Sequence, residues 1–346
     1  MSTAEHQPVP GSVVPSTRPT MSDVAAAAGV SLKTVSRVVN GEPGVRPETT
    51  DRVMSAVRAL GFRRNVVAAD FARGAGRSEI GLVIDDVSNP YWAKAARAIE
   101  DAATASGRHV ITASSDFEPA REHEIIDSLV SHRLGGLVIV PVGDDHSYLA
   151  QEMDLGTAIV FLDRPQRNLE ADSIVLDDYG GARAAVEHLI EHGHRRIAFV
   201  AQSLTIYTMG ERHRGYREAL AAAGLSPDTD LEVHVETAGE ARDRTASMLL
   251  SAEPPTALFC GNNRMTVGAI GAIGEDRARI AVVGFDDLEL ADALAVPLTV
   301  VRADATELGR TGAELLFERM GGWTGPPRRI TLPTTLVARG SGEIRP

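Results

Sequence analysis

Short apolar runs of strand length recur from residue 80 onward, each followed by a stretch of helical character. Residues 80–84 (Ile-Gly-Leu-Val-Ile) precede a helical stretch at about 91–106, and 109–112 precede another at about 119–133. Runs at 136–140 and 158–162 continue the series. A second series passes through 196–200, 231–235, 257–259 and 280–283. Apolar strands that alternate with helices belong to parallel sheets covered on both faces, where no strand face meets water. Two such series predict two similar α/β lobes. Ligands of such lobes bind at the carboxyl ends of the strands, so two facing lobes would hold one in the cleft between them.

The chain before residue 80 reads differently. Residues 20–41 predict two short helices joined by a tight turn. Thr20 can cap the first, with Asp23 three residues on completing a capping box, and Val24, Ala25 and Ala28 recur at helical spacing. Gly29 supplies the turn, since it takes positive φ without a Cβ clash. Ser31 can cap a second helix that begins at Leu32 and stops at Asn40-Gly41. Val35 and Val38 point one way on it; Lys33, Thr34, Ser36 and Arg37 point elsewhere. An exposed second helix with polar and cationic residues near its start is what a helix-turn-helix places in the DNA major groove. A third helix opens at Pro47 and Glu48 and carries the stripe Val53, Ala56, Val57 and Leu60 before Gly61.

Charge is divided along the chain. The net charge of −12 hides a basic first part, with 10 Lys+Arg against 6 Asp+Glu in residues 1–78, and a remainder of 25 against 41. A basic end on an acidic body fits nucleic-acid contact through that end alone. Cys260 is the only cysteine, so no intrachain disulfide forms; its apolar run, Ala-Leu-Phe-Cys, predicts a buried small hydrophobe. No apolar run reaches membrane-spanning length and no secretory signal pattern is visible, which predicts a cytoplasmic protein. Residues 1–17, with three prolines among Ser, Thr, Val and Gly, read as a disordered tail.

The runs Asp23-Val24-Ala25, Ala28-Gly29-Val30-Ser31 and Thr34-Val35-Ser36-Arg37-Val38-Val39-Asn40 resemble the DNA-binding headpiece of the lactose-repressor (LacI/GalR) family. Arg46, where a Ser or Thr cap is usual before the third helix, departs from the pattern. The resemblance continues through Val87-Ser-Asn-Pro-Tyr-Trp92, Phe161-Leu-Asp-Arg-Pro165, His188-Leu-Ile-Glu-His-Gly-His-Arg-Arg-Ile197, Gly210–Leu220, Cys260-Gly-Asn-Asn263, Val283-Gly-Phe-Asp-Asp287 and Leu332–Arg339. It implies a helical headpiece plus an α/β core of two doubly wound parallel-sheet lobes, similar to periplasmic sugar-binding proteins. The implied organisation is a tail at 1–17, a headpiece at 18–64, a hinge helix or linker at 65–77 and a core at 78–346. Within the core, one lobe takes about 78–175 and 304–332, and the other about 176–303 and 333–346.

The resemblance also implies a site set. Leu32, Lys33 and Arg37 would read base edges, Lys and Arg at guanine and Leu at a thymine methyl. Thr20, Ser31, Thr34, Ser36 and Asn40 complete the headpiece contacts. Asn65 and Phe71 would act in the hinge, with Phe71 where a leucine usually wedges into the minor groove and Asp70 beside it facing phosphate charge. In the core, Arg212, Asn262 and Asp286 would hold a small-molecule effector from one lobe. Asp163, Arg164, Tyr91 and Trp92 would hold it from the other, with carboxylate, guanidinium and carboxamide groups for hydroxyls and ring faces for a sugar or nucleobase. Asn263-Arg264 replaces the Asp and apolar residue common there, and residues 275–279 are shorter than the usual connection.

The implied function is an effector-responsive transcription regulator, most often a repressor, binding double-stranded operator DNA as a homodimer, one headpiece per half-site. The effector would be a sugar or sugar derivative; a purine- or nucleoside-responsive co-repressed regulator is the alternative. With no heptad extension after Arg339, a coiled-coil tetramer is not expected. A solute-binding protein without DNA function fits the basic headpiece less well. An enzyme reading lacks support: no G-x-G-x-x-G follows a strand and no phosphate-binding loop is present. Gly268, Gly271 and Gly274 suit a small-residue helix face. His188, His192 and His194 lie at a helix end, without the acids or cysteines a metal site needs. No cofactor and no membrane partner are expected.

Overall fold

The computed structural model describes residues 19–63, 79–274 and 279–346. The chain divides into two compact units, Met1–Arg77 and Ser78–Pro346. In the first, α1 (Met21–Ala28), α2 (Leu32–Val39) and α3 (Pro47–Leu60) surround a small core of Val24, Ala25, Ala28, Val35, Val53 and Ala56. Thr20 and Asp23 form the reciprocal capping box, and Gly29 turns the chain at φ 63°. Ser31 caps α2 through the Thr34 amide, whereas Arg46 gives α3 no side-chain cap. Leu60 does not extend the apolar stripe of α3: it is 37% exposed. The left-handed Gly61 reverses the chain, the Phe62 amide donates to the Val57 carbonyl at 3.0 Å, and Phe62 packs against the core beyond α3.

The second unit holds two six-stranded sheets. One comprises β1 (Glu79–Ile84), β2 (His109–Ser114), β3 (Gly136–Ile139), β4 (Ala158–Asp163), β5 (Asp172–Leu176) and β11 (Arg329–Leu332), in the order β11-β5-β4-β3-β1-β2. The other comprises β6 (Ile197–Ala201), β7 (Glu232–His234), β8 (Ala257–Cys260), β9 (Ala281–Phe285), β10 (Thr299–Ala303) and β12 (Thr334–Val337), in the order β12-β10-β9-β8-β6-β7. The second order repeats the first strand for strand. The first sheet is covered by α4 (Pro90–Ala105), α5 (Pro119–Ser131), α6 (Ala150–Asp154) and α11 (Ala305–Met320). The second carries α7 (Asp178–Glu191), α8 (Tyr207–Ala222), α9 (Ala238–Leu249) and α10 (Asn263–Ile273). Strands β3 to β6, β8 and β9 are buried along their whole length, as strands covered on both faces must be.

Strands β5, β10 and β11 were not legible as apolar runs, and β12 was legible only through the resemblance at Leu332–Arg339. β5 opens with Asp172 and Ser173, and Asp172 is buried only because Arg319 and Arg328 both donate to it, at 2.8–2.9 Å. One strand breaks the parallel rule: β12 runs antiparallel to β10. The chain reaches it from β11 across Pro333 alone and so enters the second sheet backwards. It also changes sheet at Asp177 and Asp304, and both aspartates cap the helix that follows.

Helices pair closely through glycines. A Cβ on Gly309 (α11) would lie 2.3 Å from the Ala95 carbonyl oxygen of α4, and one on Gly215 (α8) 2.4 Å from that of Tyr179 on α7. A Cβ on Gly268 (α10) would likewise lie 2.3 Å from the Ala238 oxygen of α9, and one on Gly271 3.4 Å from Arg242 Cδ, whereas Gly274, expected on the same face, instead ends the helix at φ 57°.

Candidate functional site

Polar side chains from the carboxyl ends of both sheets converge on one cleft. From the first lobe come Asp85 after β1, Asn89, Tyr91 and Trp92 at the start of α4, Phe117, and Asp163 with Arg164 at the end of β4. From the second come Gln202 after β6, Arg212 on α8, Asn262 after β8, Arg264 on α10 and Asp286 after β9. Asp163 and Asp286 close equivalent strands, β4 and β9, and both are left-handed, at φ 68° and 67°. Aspartate tolerates that conformation better than most residues, and here it turns both carboxylates into the cleft.

Each lobe supplies one buried guanidinium. Arg164 pairs with Asp85, lies 3.4 Å from Asp163 Oδ2 and donates to the Pro141 carbonyl at 3.3 Å. Arg212 donates from Nε to Asp178 Oδ1 at 2.7 Å and from Nη1 to the Gly261 carbonyl at 2.6 Å. Its Nη1 is 3.7 Å from Asp286 Oδ2, and its guanidinium lies 3.6 Å over the Phe285 ring. Asn262 accepts from the Met265 amide at 2.9 Å, capping α10, and donates to Gln202 Oε1 at 2.7 Å.

Four buried carboxylates, Asp85, Asp163, Asp178 and Asp286, thus face two guanidiniums. Burial pushes Asp286 up to about 6 against the pull of Arg212. It also raises Asp85 and Asp178, against Arg164 and Arg212 respectively, and holds the Tyr91 phenol well above its ordinary range. In the cleft lining, Asp85 Oδ1, Asp286 Oδ1, the Tyr91 hydroxyl and Arg164 Nε are buried without a hydrogen-bond partner, as is Asp178 Oδ2 beside Arg212. Lining groups of this kind await partners from a ligand.

In the helical unit, the start of α2 is open to solvent. Leu32 is 51% exposed, Lys33 and Arg37 are exposed, and Ser36 is partly so. Ser31 and Thr34 share a hydroxyl hydrogen bond at 2.9 Å. Arg37 lies 3.6 Å from Glu42, and Asn40 donates to Ser36 Oγ at 3.3 Å. The face offers an apolar tip flanked by two cations and short hydroxyls, the chemistry that reads base edges and phosphates.

Comparison with known proteins fits both units. Residues 20–65 match the model of bacterial regulatory proteins of the lacI family, and residues 186–342 that of the periplasmic binding protein-like domain. The chain is 30% identical over 333 residues to the HTH-type transcriptional regulator DegA of Bacillus subtilis (strain 168), covering 93% of this chain and 97% of that protein. The chain belongs to the lacI family of bacterial regulatory proteins. Among solved lacI-family structures it resembles the lac repressor dimer bound to operator and the anti-inducer ONPF, at TM-score 0.78 and 29% identity over 94% of this chain and 99% of that one. It also resembles the complex of the transcriptional regulator CelR with cellobiose, at TM-score 0.67 and 31% identity over 94% and 100%. Like its relatives, this lacI-family chain is a DNA-binding transcription regulator and not an enzyme.

Tyr91, Trp92, Asp163, Arg164, Arg212, Asn262 and Asp286 all line the one cleft. They do so unequally. Trp92 is 3% exposed, packs in the core of its lobe and meets Tyr91 edge-on at 5.1 Å. Tyr91 is half-buried between the two lobe cores. Thr20, Ser31 and Thr34 spend their side chains on caps. Asn65, Asp70, Phe71, the rest of 65–77, the tail at 1–17 and residues 275–278 lie outside the described residues. The histidine group fastens the chain end: His188 meets Glu343 at 2.7 Å, and His194 meets Thr256 at 2.8 Å and the Ile344 carbonyl at 2.7 Å. Cys260 is fully buried, and burial pushes its thiol up to about 12. Among the described residues no helix is long and apolar enough to cross a membrane.

Sequence reading missed Asp85, Asn89, Phe117 and Gln202 as cleft residues, and Asp178 as the buried partner of Arg212. Asp85 and Gln202 were within reach, since each is the first or second residue past an apolar strand and so sits at the carboxyl edge of its sheet. Phe117 gave no such signal: it arrives on a loop turned by consecutive left-handed residues, Asp116 and Phe117, at φ 52° and 62°.

Proposed function

We propose that this chain is a cytoplasmic repressor that binds a pseudo-palindromic operator as a homodimer and is released or fastened by a neutral, polyhydroxylated effector in the core cleft. Residues 18–64 form the DNA-binding headpiece. Leu32, Lys33 and Arg37 read bases, while Thr20, Ser31, Thr34, Ser36 and Asn40 support phosphate contacts and register. Residues 65–77, with Asn65 and Phe71, serve as the hinge that orders on DNA. Residues 78–346 form the effector-binding and dimerisation core. Tyr91, Trp92, Asp163, Arg164, Arg212, Asn262 and Asp286 hold the effector. To act, the effector binds one lobe arrangement more tightly than the other and so biases the hinge.

The observation that carries the effector class is the imbalance of the cleft. Its lining leaves Asp85 Oδ1, Asp286 Oδ1, the Tyr91 hydroxyl and Arg164 Nε unpartnered, and both buried guanidiniums already pair with buried carboxylates. A ligand whose hydroxyls both donate and accept, and which brings no negative charge to those acids, suits this set, which describes an unphosphorylated sugar. Relatives point the same way: similar proteins include the ribose operon repressor of Haemophilus influenzae (30% identity, 93% of this chain and 98% of that protein). The repressor PurR of Mannheimia succiniciproducens, equally similar, keeps the purine alternative in the test.

The test is an anisotropy titration of the purified protein on its own upstream DNA at stated salt, against neutral sugars, sugar phosphates and purines. Saturable binding at about 10⁻⁸ M or tighter is expected, weakened by about 1–3 kcal/mol in Arg37→Ala, with a neutral sugar shifting the curve. A shift by a sugar phosphate or a purine alone would overturn the effector class. Only weak, sequence-blind binding would overturn the operator reading.

A further inference from the structure

Two helix starts face each other across the mouth of the cleft, and their side chains bond directly. On the first lobe, the loop before α4 is a pre-formed acceptor. The Ser88 amide and hydroxyl both donate to Asp86 Oδ1 at 2.7 Å, the Val87 amide is tied to Ser114 Oγ at 3.0 Å, and Asn89 caps α4 through the Tyr91 amide at 3.1 Å. On the second lobe, α10 begins at Asn263 and Arg264. Asn263 Nδ2 donates to Asn89 Oδ1 at 2.7 Å. Arg264 Nη2 donates to Ser88 Oγ at 2.8 Å and pairs with the free Asp86 oxygen, Oδ2.

Arg264 is otherwise badly placed. A cation in the first turn of a helix meets the positive end of its dipole, and α10 has no acidic residue in that turn to offset it. Asp86 of the opposite lobe supplies the counter-charge. The pair is partly shielded, at 35% and 16% side-chain exposure, so water and salt screen it less than an open surface pair. Asn263 is 4% exposed, and its Oδ1 is left without a partner, so its amide is spent on the opposite lobe at the cost of one unsatisfied atom.

We propose that Arg264 and Asn263, with Asp86, Ser88 and Asn89, form an inter-lobe latch that sets the balance between closed and open lobes. Every bond in it joins protein groups, so the latch closes the cleft unaided. Asn89 and Arg264 also line the cleft, so the latch spans the space where a ligand would sit. An effector that parts the lobes must open it, and ligand affinity carries the cost of opening. That last consequence rests on the effector reading of the cleft; the latch itself does not.

The test uses the full-length protein without any ligand. Amide hydrogen exchange across 86–89 and 263–266 and small-angle scattering are compared for the parent, Arg264→Met, Asp86→Asn and the double variant. Arg264→Met is expected to speed exchange in both segments by about five- to tenfold and to raise the radius of gyration, with Asp86→Asn doing the same. The double variant should match either single, because both remove one interaction. Parent-like exchange and scattering in Arg264→Met would overturn the latch, and so would additive effects in the double variant. If Arg264→Met loses its cooperative unfolding transition, Asp86→Asn is judged by the same two readouts. Since no ligand is used, failure here is distinct from failure of the effector titration.

Discussion

In the first lobe the cleft guanidinium, Arg164, follows β4 and leans on Asp85 at the end of β1; in the second, Arg212 projects from α8 onto Asp178 and Asp286. The helices that could carry an arginine inward are equivalent. The sixth residue of α8 is Arg212, and the sixth of α4 is Ala95, whose carbonyl instead seats Gly309 of α11. The second lobe seats its helix pair lower, at Gly215 against Tyr179. A single frame thus yields two polar layouts, according to whether one helical position is given to packing or to charge. Both layouts put one cation beside two buried acids, but Arg212 lies 3.6 Å over the Phe285 ring while Arg164 stands 5.6 Å from the Phe117 ring, so the second holds more of its stability in a single side chain.

That difference can be broken directly. Arg212→Met leaves Asp178 and Asp286 buried without their counter-ion and should cost about 3–5 kcal/mol in urea unfolding. Arg164→Met should cost less, since its ring contact is the looser of the two, 5.6 Å against 3.6 Å; an equal or greater loss would sink the asymmetry. Next come the seating glycines. Gly215→Ala and Gly309→Ala would each press a methyl against a fixed carbonyl, overriding the helix-propensity gain, and should lower stability by about 1–3 kcal/mol in both lobes. A stabilised variant in either lobe would show that its helix pair gives way.

The acid–base contrast is smaller. Asp286, raised by burial to about 6, contributes stability below the ordinary carboxylate range and loses it as pH rises through about 6. Asp286→Asn should flatten that slope in a pH series of melting curves. For a hydroxylated effector the sign reverses, since the ionised form accepts. Affinity should fall about tenfold from pH 7 to pH 5, measured by calorimetry, and Asp286→Asn should remove the dependence. Smallest is Asn262→Ala, expected to lose about 1 kcal/mol from the α10 cap alone; parent-like melting would show that the cap is dispensable.

Much of this was legible in the chain because local rules sufficed. Thr20, Asp23, Gly29 and Ser31 specify the headpiece turn from neighbours within three residues, and most core strands announce themselves as apolar runs. The cleft was legible in part. Asp163 and Asp286 stand at strand ends, where the fold puts ligands, and Asp85 and Gln202 obey the same rule once it is applied to every strand. What was hidden depends on partners far along the chain. Asp172 makes a buried strand start only because Arg319 and Arg328 reach it. Asn263 and Arg264, visible only as departures from a pattern, take their meaning from Ser88 and Asn89, some 175 residues away.

The single residue between β11 and β12 has a consequence for how the protein is made. Each sheet receives its last strand from the same nine-residue stretch, 329–337, β11 beside β5 and β12 beside β10. As the chain leaves the ribosome, both sheets must wait with an open edge until this stretch appears, although all their other strands are already synthesised. Exposed strand edges of that kind invite pairing with other chains. Both sheets are therefore completed late and by the same stretch, and damage near Pro333 reaches both lobes together.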